Sequence, residues 1–257
     1  MAKLLKEQRQ RQILRGLQKN GQVTIPALSE EFSVSEVTIR RDLRDLADKR
    51  LLERTHGGAV VAYPTQAEAP VIQRMLTESE TKDAIGRAAA SLIDDGEAVL
   101  IGSGSTTAYV ARYLIHREDL TVVTNALNVG VELAAAKNVM VVVVGGMLRS
   151  SELSLIGHIA EQSLQEVRVD KVIIGIPAIS LESGLSNDYL PEVKTDRAII
   201  NMASELIVVA DHTKLGKTAS AYLAPLETVT TLVTDSGADP NYLAAIQEIG
   251  VNVIIAR

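Results

Sequence analysis

The sequence predicts an α/β protein in two parts: an N-terminal winged helix-turn-helix domain, then a larger, mostly parallel α/β domain. Three observations lead there. A short amphipathic helix bearing three arginines, residues 35–46, follows two helical segments and precedes a glycine-centred hairpin. From Glu97 onward, short apolar runs alternate with segments of helical character, the pattern of a parallel sheet covered on both faces. The charge is also divided. Residues 1–60 carry 12 Lys/Arg against 8 Asp/Glu, a net +4, and the remainder is net −10 within an overall −6. A cationic head on an anionic body suits a head that meets a polyanion. The expected division is residues 1–60 as the head, 61–77 as a linker containing Pro64 and Pro70, and 78–257 as the body.

In the head, residues 6–19 read as a helix with Ile13, Leu14 and Leu17 on one side, ended by Asn20-Gly21. Thr24 suits the cap of a second short helix, with Pro26 in its first turn and Leu28 and Phe32 facing inward. Ser33-Val34-Ser35 is the turn before the basic helix, and either serine can cap it. Ile39, Leu43 and Leu46 recur at i, i+4 and i+7, one stripe of an α-helix. Val37, Arg41 and Arg44 then fall on the opposite side, with Thr38 and Arg40 on the flanks. A short helix sealed from behind and cationic in front is what a major groove accepts. The plainer reading leaves those arginines solvated or pairs them with Asp42, Asp45 and Asp48. Residues 51–61 read as a hairpin about Gly57-Gly58, which adds a wing. Arg54 and His56 sit near its tip, within reach of phosphate or a minor groove. A solvated loop imidazole also accounts for His56, which lacks the partner spacing of a metal site.

In the body, residues 78–93 read as a helix. Buried strands are expected at 98–101, 120–123, 139–144, 171–176, 206–210, 231–234 and 251–255. Helices are expected between most of them, at 106–115, 128–136, 160–166, 191–203 and 240–249. Ligands of such sheets bind beyond the carboxyl ends of the strands. Gly102-Ser103-Gly104-Ser105-Thr106-Thr107 follows the first strand and opens a helix. Glycines there allow close backbone approach, and a helix N-terminus favours an anion. Taken alone, the run reads equally as a phosphate loop or as a turn. Asn125, Gly145-Gly146 with Arg149, Gly175, residues 184–194 and the run from Asp211 to Lys217 follow later strands. Five converging polar or glycine-rich strand ends favour a pocket.

The run Val34-Ser35, Thr38-Ile39-Arg40-Arg41-Asp42-Leu43 and then His56-Gly57-Gly58-Ala59 resembles the N-terminal domain of the DeoR family of bacterial transcriptional regulators. Glu192-Val193-Lys194-Thr195-Asp196-Arg197-Ala198-Ile199, Asp211-His212-Thr213-Lys214-Leu215-Gly216 and the 102–107 loop resemble that family's effector domain, itself similar to ribose-5-phosphate isomerase. The resemblance spans nearly the whole chain. It implies that Thr38, Arg40, Arg41 and Arg44 contact DNA, and the reading of the helix and the wing adds Ser35, Val37, Arg54 and His56. It also implies a phosphorylated sugar as effector, its phosphate on Gly102, Ser103, Gly104, Ser105, Thr106 and Thr107. Asn125, Arg149, Asp188, Glu192, Lys194 and Lys214 would wall the pocket. For Glu192 and Lys194 the alternative is a surface i, i+2 pair. Relatives usually carry a Gly-x-Asp-Gly-Ile-Asp run after the fourth strand. This chain has Gly175-Ile176-Pro177-Ala178-Ile179-Ser180, without either acid, which argues against retained catalysis.

The expected function is a sequence-specific DNA-binding regulator, a repressor of a carbohydrate-metabolism operon, controlled by a sugar phosphate. The alternative is an isomerase-like enzyme with Glu192 as base and an attached DNA-binding head. Activation in place of repression depends on where the operator lies, which the chain does not encode. No catalytic residue, metal or cofactor is expected. Expected partners are double-stranded operator DNA, the phosphorylated sugar and further copies of the chain as a homodimer or homotetramer, because paired recognition helices meet paired half-sites. No apolar run approaches the roughly 20 residues of a membrane span. The polar, basic N-terminus lacks a signal core, so a cytoplasmic protein is expected. Cysteine is absent, which excludes disulfide and thiol chemistry.

Overall fold

The computed structural model describes residues 5–49, 51–55, 57–60 and 69–257. The chain divides into two units, Met1–Glu78 and Ser79–Arg257.

The first unit begins with α1 (Lys6–Asn20), stopped by Gly21 in the left-handed region at φ 72°, whose amide bonds back to the Leu17 carbonyl. A three-residue strand, β1 (Gln22–Thr24), leads into α2 (Ile25–Glu31), with the Thr24 hydroxyl accepting the Ala27 amide at 3.4 Å. α3 (Glu36–Asp48) starts at Ser35 and not at Ser33, which takes a positive φ of 51° in the turn. The wing is β2 (Glu53–Arg54) and β3 (Gly58–Val60). β1 joins it, so the sheet has three strands in the order β1-β3-β2, all antiparallel. The core is the expected one. Ile13, Leu14 and Leu17 of α1 meet Leu28, Phe32, Ile39, Leu43 and Leu46, and Leu51, Leu52 and Ala59 close it from the wing side.

Gly58 is set by close approach. A Cβ there would stand 1.9 Å from the Val23 carbonyl oxygen and 2.9 Å from the Thr24 Cα, both backbone. Gly58→Ala is therefore expected to open the β1–β3 pairing and cost the head roughly 1–3 kcal/mol, read as a lowered melting temperature of that unit. An unmoved transition would show that the wing does not hold the head.

Residues 69–77, expected as connector, contain one turn of helix, α4 (Val71–Arg74), with Val71 buried. The rest of that expected linker, residues 61–68, lies outside the described residues, as does His56.

The second unit opens with α5 (Ser79–Ala90). All seven strand runs read from the sequence form one parallel sheet: β4 (Ala98–Ile101), β5 (Leu120–Thr124), β6 (Val139–Val143), β9 (Lys171–Gly175), β12 (Glu205–Val209), β14 (Thr231–Asp235) and β15 (Asn252–Ala256). Their order is β15-β14-β12-β9-β4-β5-β6. Such strands are apolar throughout because both faces are covered. One face packs Ile85, Ala89, Val110, Leu114 and Val129 from α5, α6 (Ser105–Leu114) and α7 (Leu127–Leu133). The other packs Ala160, Leu164, Ile199, Ile200, Leu243 and Ile246 from α8 (His158–Gln165), α9 (Val193–Met202) and α10 (Pro240–Glu248). Two antiparallel pieces were not expected. One is the hairpin β7 (Met147–Arg149) and β8 (Ser154–Ile156). The other is a sheet of β10 (Ala178–Ser180), β11 (Gly184–Asn187) and β13 (Ala221–Ala224). The strand order reverses direction at β4, so the loop after β4 sits at a topological switch point.

Candidate DNA-binding face and effector pocket

On α3 the apolar stripe and the cations separate as expected. Ile39, Leu43 and Leu46 are buried, Val37 is 75% exposed, and Arg40, Arg41 and Arg44 are exposed. The Ser35 hydroxyl accepts the Thr38 amide at 3.3 Å and lies 3.0 Å from the Thr38 hydroxyl. Arg40 reaches back to Glu36 at 3.3 Å, an exposed i, i+4 pair worth little in water. Two of its acids, Asp42 and Asp45, are engaged by α1, while Asp48 is exposed on the same side as Arg41 and Arg44. Asp42 is buried and takes Arg9 of α1 at 2.5 Å. Asp45 takes Lys6 of α1 at 2.6 Å, and that hydrogen bond holds its carboxyl below the usual range. Arg41 and Arg44 form no ion pair among the described residues. The pairing with Asp42 and Asp45 does not form, because α1 supplies those acids with other cations, although the Arg41 charge still lowers the Asp45 carboxyl; the reading in which the arginines are solvated stands. Arg54, exposed on β2, pairs with Ala59 across the wing.

In the body, the loop after β4 lies against the end of β9. The Gly102 amide donates to the Ile173 carbonyl at 2.8 Å, and Gly104 has φ 143°, which a side chain rarely adopts. α6 then starts with no side chain capping it. Thr107 is fully buried, and its hydroxyl donates to the Gly104 carbonyl at 3.1 Å. Asn128 donates to that same oxygen at 3.1 Å. Ser105 and Thr106 are buried, and Ser103 is half-buried. A cavity of about 20 Å³ opens on this loop, lined by Gly102, Ser103, Ile174, Gly175, Ile176, Asp196 and Ile199. That is room for about one water.

Beside it stands a buried ionic cluster. Glu192, 2% exposed in its side chain, is clamped by the Arg149 guanidinium and accepts the Ser154 hydroxyl at 2.6 Å. Arg149 lies 4.1 Å from the centroid of the Tyr189 ring and donates to Ser151 at 3.2 Å. Four residues on, Asp196 accepts the Asn187 amide at 2.7 Å. Burial first, and the Glu192 charge second, push the Asp196 carboxyl up to about 7. Asn125 is fully buried and donates to the Leu155 carbonyl at 3.4 Å, while its Oδ1 has no hydrogen-bond partner among the described residues.

The sequence-derived wall residues therefore divide. Arg149 and Glu192 meet each other. Lys194 does not join them: two residues along a helix turn it about 200° away, and it is exposed on a groove of about 640 Å³ lined also by Leu164, Arg168, Arg197 and Met202. The surface i, i+2 reading thus fits Lys194 and fails for the buried Glu192. Asp188 is exposed. The Asp211–Lys214 run makes a 3-10 turn capped by Asp211, which accepts the Thr213 amide at 2.9 Å. Lys214 is half-buried there and does not line the loop cavity. Asp196, Tyr189, Ser154 and Asn128 were missed. Asp196 had a legible signal, since it stands at i+4 from Glu192 and so shares its helix face.

Among the described residues, no cluster of His, Asp and Glu is arranged to hold a metal ion. None of their helices is long and apolar enough to cross a membrane.

Comparison with known proteins places both units. The profile described as a DeoR-like helix-turn-helix domain matches residues 9–65, and that of the DeoR C terminal sensor domain matches residues 77–236. The glycerol-3-phosphate regulon repressor of Escherichia coli K12 is 35% identical over 89% of this chain and 90% of its own. The putative aga operon transcriptional repressor of Escherichia coli O157:H7 is 32% identical over 96% and 93%. The HTH-type transcriptional repressor GlcR of Bacillus subtilis is 31% identical over 99% and 98%. Among solved structures, ribose 5-phosphate isomerase A from Neisseria gonorrhoeae aligns with 54% of this chain and 54% of its own, at 17% identity and a TM-score of 0.41.

Proposed function

Because the chain belongs to the DeoR family of transcriptional regulators, we propose that it is a sequence-specific repressor of a carbohydrate operon whose grip on DNA answers to a phosphorylated sugar. The observation that carries the DNA half is the division of charge on α3. Its inward acids are engaged by Lys6 and Arg9 of α1, which leaves Arg41 and Arg44 outward on an exposed face with Val37 and Ser35. That face suits major-groove entry, with Arg54 on the wing for phosphate or minor groove. The names of the relatives, repressors of glycerol-3-phosphate and aga genes, support the carbohydrate reading.

For the effector, the support is an uncapped ten-residue helix opened by Gly104 at a switch point of the sheet, with Ser103 on the cavity. Arg149 and the buried Asn125 Oδ1 supply further polar recognition. Coupling requires the sugar phosphate to bind one arrangement of a dimer or tetramer better than another. The isomerase alternative needs Glu192 as a free base, and Arg149 and Ser154 already hold it.

The test has two arms. Binding of the full chain to promoter fragments should weaken steeply with salt, since each phosphate contact adds about 0.9 to the log–log slope. A flat line would end the reading. Thr106→Glu should abolish the response to a sugar phosphate and leave DNA affinity unchanged, because a carboxylate in the first turn of α6 repels the phosphate. A variant that still responds would move the anion away from this loop.

A further inference from the structure

The anion loop has a carboxyl group of its own facing it. Asp196 lines the same small cavity as Gly102, Ser103 and Gly175, and neither glycine puts a side chain between them. An oxygen of a phosphoryl dianion held on the loop, filling that water-sized space, meets either a carboxylate, which repels it, or a neutral carboxyl, which can donate a hydrogen bond. Two acids share this corner, and their surroundings differ. Glu192 has the Arg149 cation and the Ser154 hydroxyl. Asp196 has the Asn187 amide as its hydrogen-bond partner among the described residues. The charges acting on Asp196 are Glu192 and Glu152, which favour its neutral form, and Arg149, which opposes them. Asp196 is thus an acid whose surroundings favour its neutral form.

Resting on the phosphate-loop reading above, we propose that Asp196 makes occupation of the loop proton-linked: a phosphoryl dianion binds only with the Asp196 carboxyl neutral, and that carboxyl then donates its proton in a hydrogen bond to a ligand oxygen. No covalent bond changes, and the proton comes from solvent. The consequence is specificity as well as regulation. The site selects the dianionic end of a ligand at neutral pH and releases it as pH rises.

Burial and Glu192 already bring this carboxyl up to about 7, so it is mostly neutral below that and mostly charged above. Affinity is therefore expected to be level below about pH 7 and to fall by up to tenfold per pH unit above it. Sulfate is the probe, because it stays a dianion throughout that range and its own titration cannot produce the slope. The readout is the amide resonances of Gly102 and Gly104 in glycine-labelled full-length protein, which separate loop binding from sulfate on the basic head. Asp196→Asn keeps an oxygen for Asn187 and a donor for the ligand. It should bind sulfate with a flat profile and exceed the wild type above pH 8. A flat wild-type profile, or the same slope in the variant, overturns the role of Asp196 and leaves the loop reading standing. No shift of either glycine with sulfate or inorganic phosphate at any pH overturns both. The wild-type profile decides even where the variant does not fold.

Discussion

Asp42→Ala is expected to melt the head and leave the body folded. Asp42 lies on the buried face of α3, one position from Leu43, and its side chain is 2% exposed. Its partner Arg9, 7% exposed, comes from α1 at 2.5 Å, so the pair ties α1 to α3. Removing one partner of a buried pair leaves an uncompensated charge and costs about 3–5 kcal/mol. Small domains have few kcal/mol to lose. The cost therefore falls on a unit of fewer than 80 residues that builds its own core. Thermal unfolding of the full chain, followed with hydrogen exchange on residues 6–60, should show the head opening early while the parallel sheet keeps its protection. Two companions separate the cause from simple damage. Asp42→Asn retains an acceptor for Arg9 and should cost less. The double change Arg9→Met with Asp42→Leu removes both charges and should recover most of the loss. A head that melts unchanged in Asp42→Ala would mean that the apolar stripe alone fixes α3.

That pair also marks where reading from sequence stops. The faces of α3 were legible because three apolar residues at helical spacing define them. Asp42 falls at i+3 from Ile39, so its burial was legible too. Its partner was not, because it lies 33 residues away on another helix. The parallel sheet was legible strand by strand, since a strand covered on both faces is a continuous apolar run. The antiparallel pieces escaped for the opposite reason. β11 reads Gly-Leu-Ser-Asn, β1 has three residues, and neither carries an alternation long enough to distinguish it from a loop. Glycines and hydroxyls after a strand marked the 102–107 loop, part of which lines a small cavity. The Arg149–Glu192 clamp joins residues 43 apart through a hairpin that was not foreseen. Lys194, which the resemblance put on the wall, lies exposed on a different groove, because two residues along a helix turn a side chain about 200°.

The largest functional loss is expected from Arg41→Ala combined with Arg44→Ala. Both side chains are exposed, and neither forms an ion pair among the described residues, so their removal takes no contact from the core. Exposed helix positions changed to alanine are tolerated, and alanine is the better helix former. Circular dichroism and the head's melting temperature should therefore stay within the ordinary scatter of surface changes, about 0.5 kcal/mol. DNA affinity should not. An arginine that reads a base edge is worth about 1–3 kcal/mol, and one that meets phosphate adds about 0.9 to the salt slope. With both gone, binding to a fragment that the wild type selects from a random pool should fall on the order of a hundredfold or more. The slope of log affinity on log salt discriminates the two roles: a drop near two assigns both arginines to phosphate, and a smaller drop with lost sequence preference assigns at least one to bases. Arg40→Ala offers the internal comparison, since its guanidinium is shared with Glu36 and its removal should cost less. Unchanged affinity in the double variant would take α3 out of the groove. A melted head would mean that the outward face of this helix has been misread, and with it the division of charge on which the DNA-binding argument stands.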